Sequence, residues 1–373
     1  MKKLLLFATA FAILLTGCTK NALEQDVLDD GNPVPVRFNV MSPSSSLTKS
    51  TGAVETSWKQ QALYIYGFDR AETDFTNTPF INNVQATAPD GSASGSITVQ
   101  NDAVPGGAEP FYYVAKKNYD FYGYYIDDAK DTETNGGLPV QEPTRVYVPF
   151  VINGSQDLML AKADQTADIQ KVGASITEDR AYSAYAARRN VHPSLKFQHQ
   201  LARFTFEIVA GAASGNNVNV DYIKVESKHK GNLVVVGTGR GIADVTEDIG
   251  TFTLQEINPE GNAQNLTPVK PNTYKPEKDN PKKIGESIMV IPGETSYNLK
   301  IKTSQDGTNT DIPEQEWTIN IDDVNGKPEG ATKFDAGYSY KITILIYGLE
   351  EVKFTAELEP WVDGGDLILD EDM

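Results

Sequence analysis

The stretch YSYKITILIY (338–347) places aromatic and β-branched residues two positions apart along the chain. Side chains of a strand alternate between its two faces, so residues two apart share a face. In this stretch one face would carry Tyr338, Tyr340, Ile342, Ile344 and Ile346. Such a face is typical of a strand that packs against a hydrophobic core.

Segments of the same character recur from residue 34 to residue 361, separated by Gly, Pro, Asn and Asp. Many short strands joined by such turns predict an all-β sandwich. Two sets of strands flank TEDRAYSAYAARR (177–189), the one segment for which we predict a helix, with Thr177 as its N-cap. We therefore predict two β-sandwich domains, over residues 33–190 and 191–373, since 373 residues exceed one domain of about 150.

The composition excludes several classes of partner and site. Lys and Arg number 33 against 51 Asp and Glu, which gives a net charge of −18. Binding to nucleic acid requires clustered basic side chains that displace counterions, so no nucleic-acid partner is expected. One cysteine, Cys18, excludes an intrachain disulfide and any metal site built from several cysteines.

The N-terminus has the form of a secretory signal. Lys2 and Lys3 precede the apolar run LLLFATAFAILL (4–15), which is shorter than the roughly 20 residues of a membrane span. The run ends in LTGC (15–18), which resembles the bacterial lipobox. That resemblance implies a signal peptide over residues 1–17, cleavage before Cys18, and a lipid such as palmitate on the Cys18 thiol.

Residues 18–32 predict an acidic, flexible leash between this anchor and the first strand. Its acids are Glu24, Asp26, Asp29 and Asp30. The segment resembles the acidic export signals of surface-exposed lipoproteins from Bacteroidota.

Catalytic patterns are not found in the sequence. His192 and His199 are seven residues apart, which puts them on opposite faces of a continuous strand, whereas metal ligands must converge. GTGRG (237–241) lacks the glycine spacing and the following helix of a dinucleotide loop, and it predicts a hairpin turn. We predict a protein that is not an enzyme, with no catalytic residues, no metal and no cofactor.

The aromatic run FYYVAKKNYDFYGYYIDD (111–128) allows two interpretations. Its rings could stack on sugars or on a partner peptide at the surface. Alternatively, two neighbouring strands could direct them into a sandwich core. We favour the core.

Several segments resemble the fimbrillin family, the lipoprotein pilins of type V pili in Bacteroidota. They are NYDFYGYY (118–125), with Gly123 where alanine is common, DLMLAKA (157–163), LKFQHQLARFTFEI (195–208) with His199, Leu201 and Arg203, and FDAGYSYKITILI (334–346) followed by Glu359, Pro360 and Trp361. The resemblance implies two tandem transthyretin-like β-sandwich domains. It also implies a tip, stalk or anchor subunit of a pilus that serves adhesion.

The implied partners are other pilus subunits, joined by β-strand addition, and the outer membrane, joined by the lipid on Cys18. A host or bacterial surface ligand is a further partner that adhesion implies. The implied location is the cell outer membrane, surface-exposed, or the fimbrium after processing. Two other classes stay open. One is a surface glycan-binding lipoprotein, which exposed, coplanar aromatics would favour over the pilin. The other is a lipid-anchored hydrolase, which needs convergent carboxylates or a buried nucleophile.

In fimbrillins, cleavage after a basic residue removes the first strand and opens an acceptor groove. The candidates here are Arg37 and Lys49, and we favour Lys49 because its Ser/Thr-rich surroundings predict an accessible loop. For the donor we favour the C-terminal segment, with VKFTAELEPW (352–361) as a half-buried strand and the apolar residues 367–369 beyond it.

Overall fold

The structure is a computed structural model that describes residues 32–43, 47–48, 54–55, 57–101, 109–271, 281–305 and 312–359. The first half of the chain forms β1 (Arg37–Met41), β2 (Leu47–Thr48), β3 (Val54–Glu55), β4 (Ala62–Asp69), β5 (Ile81–Thr87), β6 (Ser94–Thr98), β7 (Tyr119–Tyr125), β8 (Val140–Glu142), β9 (Arg145–Val151), β10 (Met159–Lys162), β11 (Ser194–Lys196) and β12 (Gln198–His199).

The remaining strands lie beyond residue 200. They are β13 (Ala202–Ala210), β14 (Val218–Lys228), β15 (Lys230–Gly237), β16 (Gly241–Ala243), β17 (Ile249–Thr253), β18 (Gln255–Ile257), β19 (Ala263–Asn265), β20 (Lys282–Val290), β21 (Ser296–Gln305), β22 (Gln315–Asn320), β23 (Val324–Asn325), β24 (Ser339–Ile346) and β25 (Val352–Glu359). The helices are α1 (Gln165–Lys171) and α2 (Ala184–Ala187), with short 3₁₀ turns at Asn135–Gly137, Glu178–Arg180, Ala213–Asn217 and Ile321–Asp323.

Five sheets carry the architecture, and the predicted all-β sandwich class is confirmed. Their strand orders are β11-β1-β6, β12-β10-β7-β4-β5, β16-β15-β9-β8, β17-β14-β21-β22 and β20-β13-β24-β25-β23. The pairs β18-β19 and β2-β3 form two further hairpins. Most neighbours are antiparallel, but β1–β11, β13–β24 and β23–β25 are parallel.

The sheet β12-β10-β7-β4-β5, which we call the shared sheet, is buried on both faces along its central strands β10, β7 and β4. Phe121 of β7 packs into a first core, and its neighbours Tyr122 and Tyr124 pack into a second. The same alternation occurs in β10, where Met159 faces the first core and Leu160 the second. A strand buried on both faces has no polar positions to alternate with apolar ones, which explains why this part of the sequence is almost continuously aromatic.

The first core lies between the shared sheet and the sheet of β1. Its largest side chains are Phe38, Trp58, Phe121, Tyr182 and Phe197. The second core lies on the other face of the shared sheet and extends through the strands beyond residue 200. Its largest side chains include Tyr66, Tyr124, Phe150, Phe204, Phe334 and Tyr340.

Strands from the two predicted domains pair with one another. β9 pairs antiparallel with β15, and β11, which follows residue 190, pairs with β1. The second core likewise contains residues from both sides of position 190. The division into 33–190 and 191–373, and its transthyretin-like detail, stay predictions.

The alternation predicted for residues 338–347 is present in β24. Tyr340, Ile342, Ile344 and Ile346 are buried, whereas Tyr338, just before the strand, is 37% exposed. The segment 237–241 is the predicted hairpin turn, because it joins β15 to β16.

The predicted helix over 177–189 is wrong. Residues 178–180 form a 3₁₀ turn, Tyr182 adopts φ +54, and only residues 184–187 are α-helical. The cause is the fully buried Tyr182, whose hydroxyl donates to Asp168 Oδ2 at 2.5 Å. This contact turns the backbone inward, and Thr177 makes no side-chain cap.

A short helix precedes this segment and was not predicted. It is α1, capped by the Asp164 side chain, which accepts a hydrogen bond from Ala167 N at 3.1 Å. No helix in the described ranges has the length and apolar character that crossing a membrane requires.

Gly123→Ala should destabilise the protein, because an added Cβ would lie 2.9 Å from Phe197 Cζ. Phe197 has little room to move, since it is fully buried and packs edge-on to Trp58 at 5.5 Å between ring centroids. We expect a loss of about 1–3 kcal/mol in the free energy of unfolding, measured by chemical denaturation. Gly348→Ala, with nothing within 4 Å of the added Cβ, is the matched control. An equal loss in a Phe197→Leu background would contradict the proposed collision.

Candidate functional site

The first described strand, β1, lies between two strands rather than at an edge. It pairs antiparallel with β6 over five residues and parallel with β11 over three. Further backbone bonds continue the pairing, with Asn39 N donating to Pro193 O at 3.0 Å and Phe197 N donating to Met41 O at 3.0 Å. β1 therefore occupies a groove whose two walls are β6 and β11.

The inward side chains of β1, and that of Val36 just before it, fill part of the first core. Val36, Phe38 and Val40 are fully buried, and Phe38 meets Phe121 edge-on with 5.0 Å between ring centroids. Burial of such side chains contributes roughly 1.5–3 kcal/mol each, so the three contribute roughly 5–9 kcal/mol. Removal of β1 would therefore expose an apolar surface to water along this groove.

Three site residues were predicted, and one of them, Arg37, lies in the strand that fills this groove. Arg37 is the first residue of β1, opposite Thr98, with its side chain exposed. Cys18 and Lys49 lie outside the described residues, and so do residues 360–373. β25 is described up to Glu359, and it forms an antiparallel hairpin with β24.

β25 has the half-buried character that its alternation predicts. Val352 and Ala356 are buried, while Lys353, Thr355 and Glu357 are exposed. Its outer edge is covered by β23 at Ala356 and Glu357.

Most of the aromatic run lies in the cores, as predicted. Its buried members are Tyr113, Tyr119, Phe121, Tyr122, Tyr124 and Tyr125, whereas Tyr112 is 37% exposed. The Tyr124 hydroxyl donates to Asn83 Oδ1 at 2.7 Å, which satisfies its polar end inside the protein. Rings in these positions leave no exposed, coplanar platform on this segment for a sugar.

Polar residues of the quoted motifs meet where the shared sheet joins the sheet of β13, β24 and β25. We call Asp157, His199, Arg203, Ser339 and Glu359 the buried polar junction. His199 Nδ1 lies 2.7 Å from Asp157 Oδ2, and both side chains are buried. Arg203 Nε donates to Ser339 Oγ at 2.9 Å, and Ser339 Oγ lies 3.4 Å from Glu359 Oε2.

Two opposing effects act on the pKa of the Arg203 guanidinium. Burial lowers the pKa of its guanidinium, whereas the nearby carboxylates of Glu359 and Asp157 raise it. A buried charge is tolerated only when it is paired and hydrogen-bonded. The junction therefore ties the last described residue of β25 to the segments at 157 and 199–203.

A second buried acid lies beside the junction. The pKa of Asp127 is raised to about 7 by burial, and the neighbouring carboxylates of Asp128 and Asp157 raise it further. Hydrogen bonds from the Tyr125 side chain and the Asp157 backbone act in the opposite direction. Asp127 thus changes charge near neutral pH.

The other histidines make separate local contacts. His229 Nδ1 lies 3.1 Å from Asp248 O, and burial lowers the pKa of His192. In the described part of the chain, no group of three or more His, Cys, Asp and Glu side chains is arranged to hold a metal ion. Sequence reasoning did not identify Ser339, because a serine at a strand start carries no signal of its bond to Arg203.

The comparisons with known proteins agree with this architecture. The fimbrillin-like family model matches residues 50–361, so the chain belongs to the fimbrillin-like family. A solved protein from Bacteroides uniformis, provisionally assigned to cell adhesion, is similar with a TM-score of 0.50 and 16% identity over 88% of this chain and 98% of its own. This likeness shows the fold.

Two further solved structures are similar at lower TM-scores. One, also provisionally assigned to cell adhesion, is from Bacteroides ovatus, with a TM-score of 0.47 and 14% identity over 89% of this chain and 99% of its own. The other is from Bacteroides thetaiotaomicron and is provisionally described as polysaccharide-binding, with a TM-score of 0.36 and 11% identity over 84% and 92%. No curated protein matches the chain. Family membership supports a cell-surface role of the pilus and adhesion type.

The raised pKa of Asp127 predicts a pH-dependent stability. Unfolded Asp has a pKa of about 3.9, so the folded carboxyl binds its proton more tightly and adds stability that is complete below about pH 4. This stability is lost as the pH rises through about 7. Asp127→Asn should remove up to about 4 kcal/mol of the fall in unfolding free energy between pH 4 and pH 8, measured by urea denaturation.

The matched control for this experiment is Asp179→Asn, on the exposed turn Glu178–Arg180. It should follow the wild-type pH profile. A profile for Asp127→Asn that also matches the wild type would contradict the raised pKa.

Proposed function

We propose that this chain is a structural subunit of a type V pilus that is assembled by donor-strand exchange and serves adhesion. It is not an enzyme in this proposal, and it has no catalytic residues or cofactor. The observation that carries the proposal is the position of β1, an N-terminal strand between β6 and β11 that buries Phe38 and Val40 in the first core, with Val36 buried just before it. Membership of the fimbrillin-like family supports it.

Loss of β1 would leave a groove of defined shape. Neighbouring strands are about 4.8 Å apart, so β6 and β11 would face each other across about 9.6 Å, each with unpaired backbone groups. A strand from another subunit would restore both ladders and refill the pockets of Phe38 and Val40. Repetition of this head-to-tail contact produces a filament, because it does not close on itself.

The proposed donor is the C-terminal tail. Leu367 and Leu369 are two positions apart, as Phe38 and Val40 are, so an extended tail presents both to one face. In this proposal Asp363-Gly364-Gly365-Asp366 acts as a hinge between β25 and the tail, since glycine accepts backbone angles that other residues avoid. Glu359, held in the buried polar junction, fixes the point from which the tail departs.

Activation should require cleavage after Lys49 rather than after Arg37. Cleavage after Arg37 leaves Phe38–Met41 attached to the domain, whereas cleavage after Lys49 detaches all of β1. Lys49→Ala should therefore abolish polymerisation after treatment with a trypsin-like protease, and Arg37→Ala, the matched control, should polymerise as the wild type does. N-terminal sequencing of sheared filaments should read Ser50, and filaments that begin at Phe38 or retain the leader would contradict the proposal.

The same assay tests the donor. Deletion of residues 364–373 should leave a folded monomer that is cleaved normally and no longer polymerises. Filaments of unchanged length and yield would rule out the tail as donor. Unfolding of the monomer would show that the tail serves its own core.

We propose that Cys18 carries the lipid that anchors the unprocessed protein in the outer membrane. The lipobox-like LTGC at 15–18 supports this assignment. Cys18→Ala should move the protein from the membrane fraction to the soluble fraction of the cell. Full retention in the outer membrane would show that another feature anchors the chain.

A further inference from the structure

A cavity of about 240 Å³ lies away from the groove, where the loop after β9 meets the strands β17 to β20. We call it the polar cavity, and the side chains that define it are Asn153, Ser155, Thr253, Gln255, Asn265 and Ser287. Ser155 and Ser287 are buried and form its floor, whereas Asn153 and Asn265 are exposed at its rim.

The lining of the polar cavity is neutral. All six defining side chains are amides or hydroxyls, in a chain whose net charge is −18. Glu256 follows Gln255 in β18, but its carboxylate accepts hydrogen bonds from Gln264 Nε2 at 2.8 Å and Thr267 N at 3.1 Å. The Glu256 carboxylate is thus engaged elsewhere, and the described lining offers hydrogen bonds without charge.

The loop that forms one wall is held in place before any ligand arrives. Asn153 Oδ1 accepts from Ser155 N at 3.1 Å and from Ser155 Oγ at 2.6 Å. Gln156 Oε1 accepts from Asn153 N at 2.8 Å, and Gly154 O accepts from Met289 N at 2.7 Å. A preformed wall avoids the entropy cost of ordering a loop on binding.

Side chains in the opposite wall have hydrogen-bond donors and acceptors that the protein does not use. Within the described ranges, the side chains of Thr253, Gln255 and Asn265 form no hydrogen bond with the protein. An amide offers two donors and an acceptor, so Gln255 and Asn265 together can serve several hydroxyl groups of one ligand.

We propose that the polar cavity binds one neutral sugar unit. Among the residues that the structure describes, its lining has no cation for a phosphate or carboxylate, no aromatic ring for a nucleobase and little apolar surface for a lipid chain. Its volume equals that of about eight water molecules at roughly 30 Å³ each, which is enough for a single sugar ring. Without an apolar platform the affinity should be weak, with a dissociation constant of about 1 mM.

This inference goes beyond pilus assembly, because it assigns a ligand class to the adhesive role. Its residues are separate from β1, β6 and β11, so variants in the cavity should polymerise normally. A negative result for sugar binding would therefore not contradict the proposed strand exchange. A negative result for polymerisation would not contradict sugar binding in the polar cavity.

Saturation-transfer NMR on the full-length chain tests the proposal with the methyl glycosides of glucose, galactose, mannose and N-acetylglucosamine. At least one should bind saturably, with a dissociation constant near 1 mM, whereas glucuronate should bind at least tenfold more weakly. Gln255→Ala and Asn265→Ala should each weaken that sugar's binding at least tenfold. Thr251→Ala, an exposed position in β17, is the matched control and should leave binding unchanged.

Thermal unfolding of each variant establishes that it is folded, and the exposed position of Asn265 makes its substitution safe for the core. Saturable binding that both cavity variants weaken supports the assignment. Absence of saturable binding to all four glycosides, equal binding of glucuronate, or binding indifferent to both substitutions would overturn it.

Discussion

The double burial of the shared sheet is the constraint on which the rest of the structure depends. A sheet covered on both faces must satisfy its backbone within its own ladder and fill two cores with alternate side chains. β7 does this with Phe121 on one side and Tyr124 on the other. Polar atoms inside this arrangement need partners, and Tyr124 finds one in Asn83.

The N-terminal strand contributes side chains to the first core and not to the described second core. Val36, Phe38 and Val40 contribute to the first core, whereas the second core is built without β1. Loss of β1 would therefore expose the first core along one groove, including the face of Phe121, and would remove no side chain from the second core. This separation supports the proposed exchange of a single strand.

Charged side chains at the surface and in the buried polar junction differ in their exposure to water. Most acids in the described part of the chain lie on exposed positions, where ion pairs such as Lys353 with Glu351 contribute little to stability. The buried polar junction is different, because Asp157 and Arg203 lie away from water and Glu359 beside them is half-buried. It lies where the chain leaves the shared sheet for β13, so it links the two cores at the point where β25 ends.

The sequence by itself determined the all-β class and the buried faces of β24 and β25, because period-two alternation depends only on local strand geometry. The motif order of residues 118–346 likewise sufficed to indicate the family. The broken helix at 178–187 needed the tertiary structure, because the bond from Tyr182 to Asp168 overrides local helical preference.

The pairing of strands far apart in the chain could not be predicted from the sequence either. Residues far apart in the chain meet where β1 lies between β6 and β11, where Asp157 contacts His199 and where Arg203 lies near Glu359. The polar cavity is also lined by residues from distant segments. Such contacts are decided by which strands pair, and no local pattern of residues records that choice.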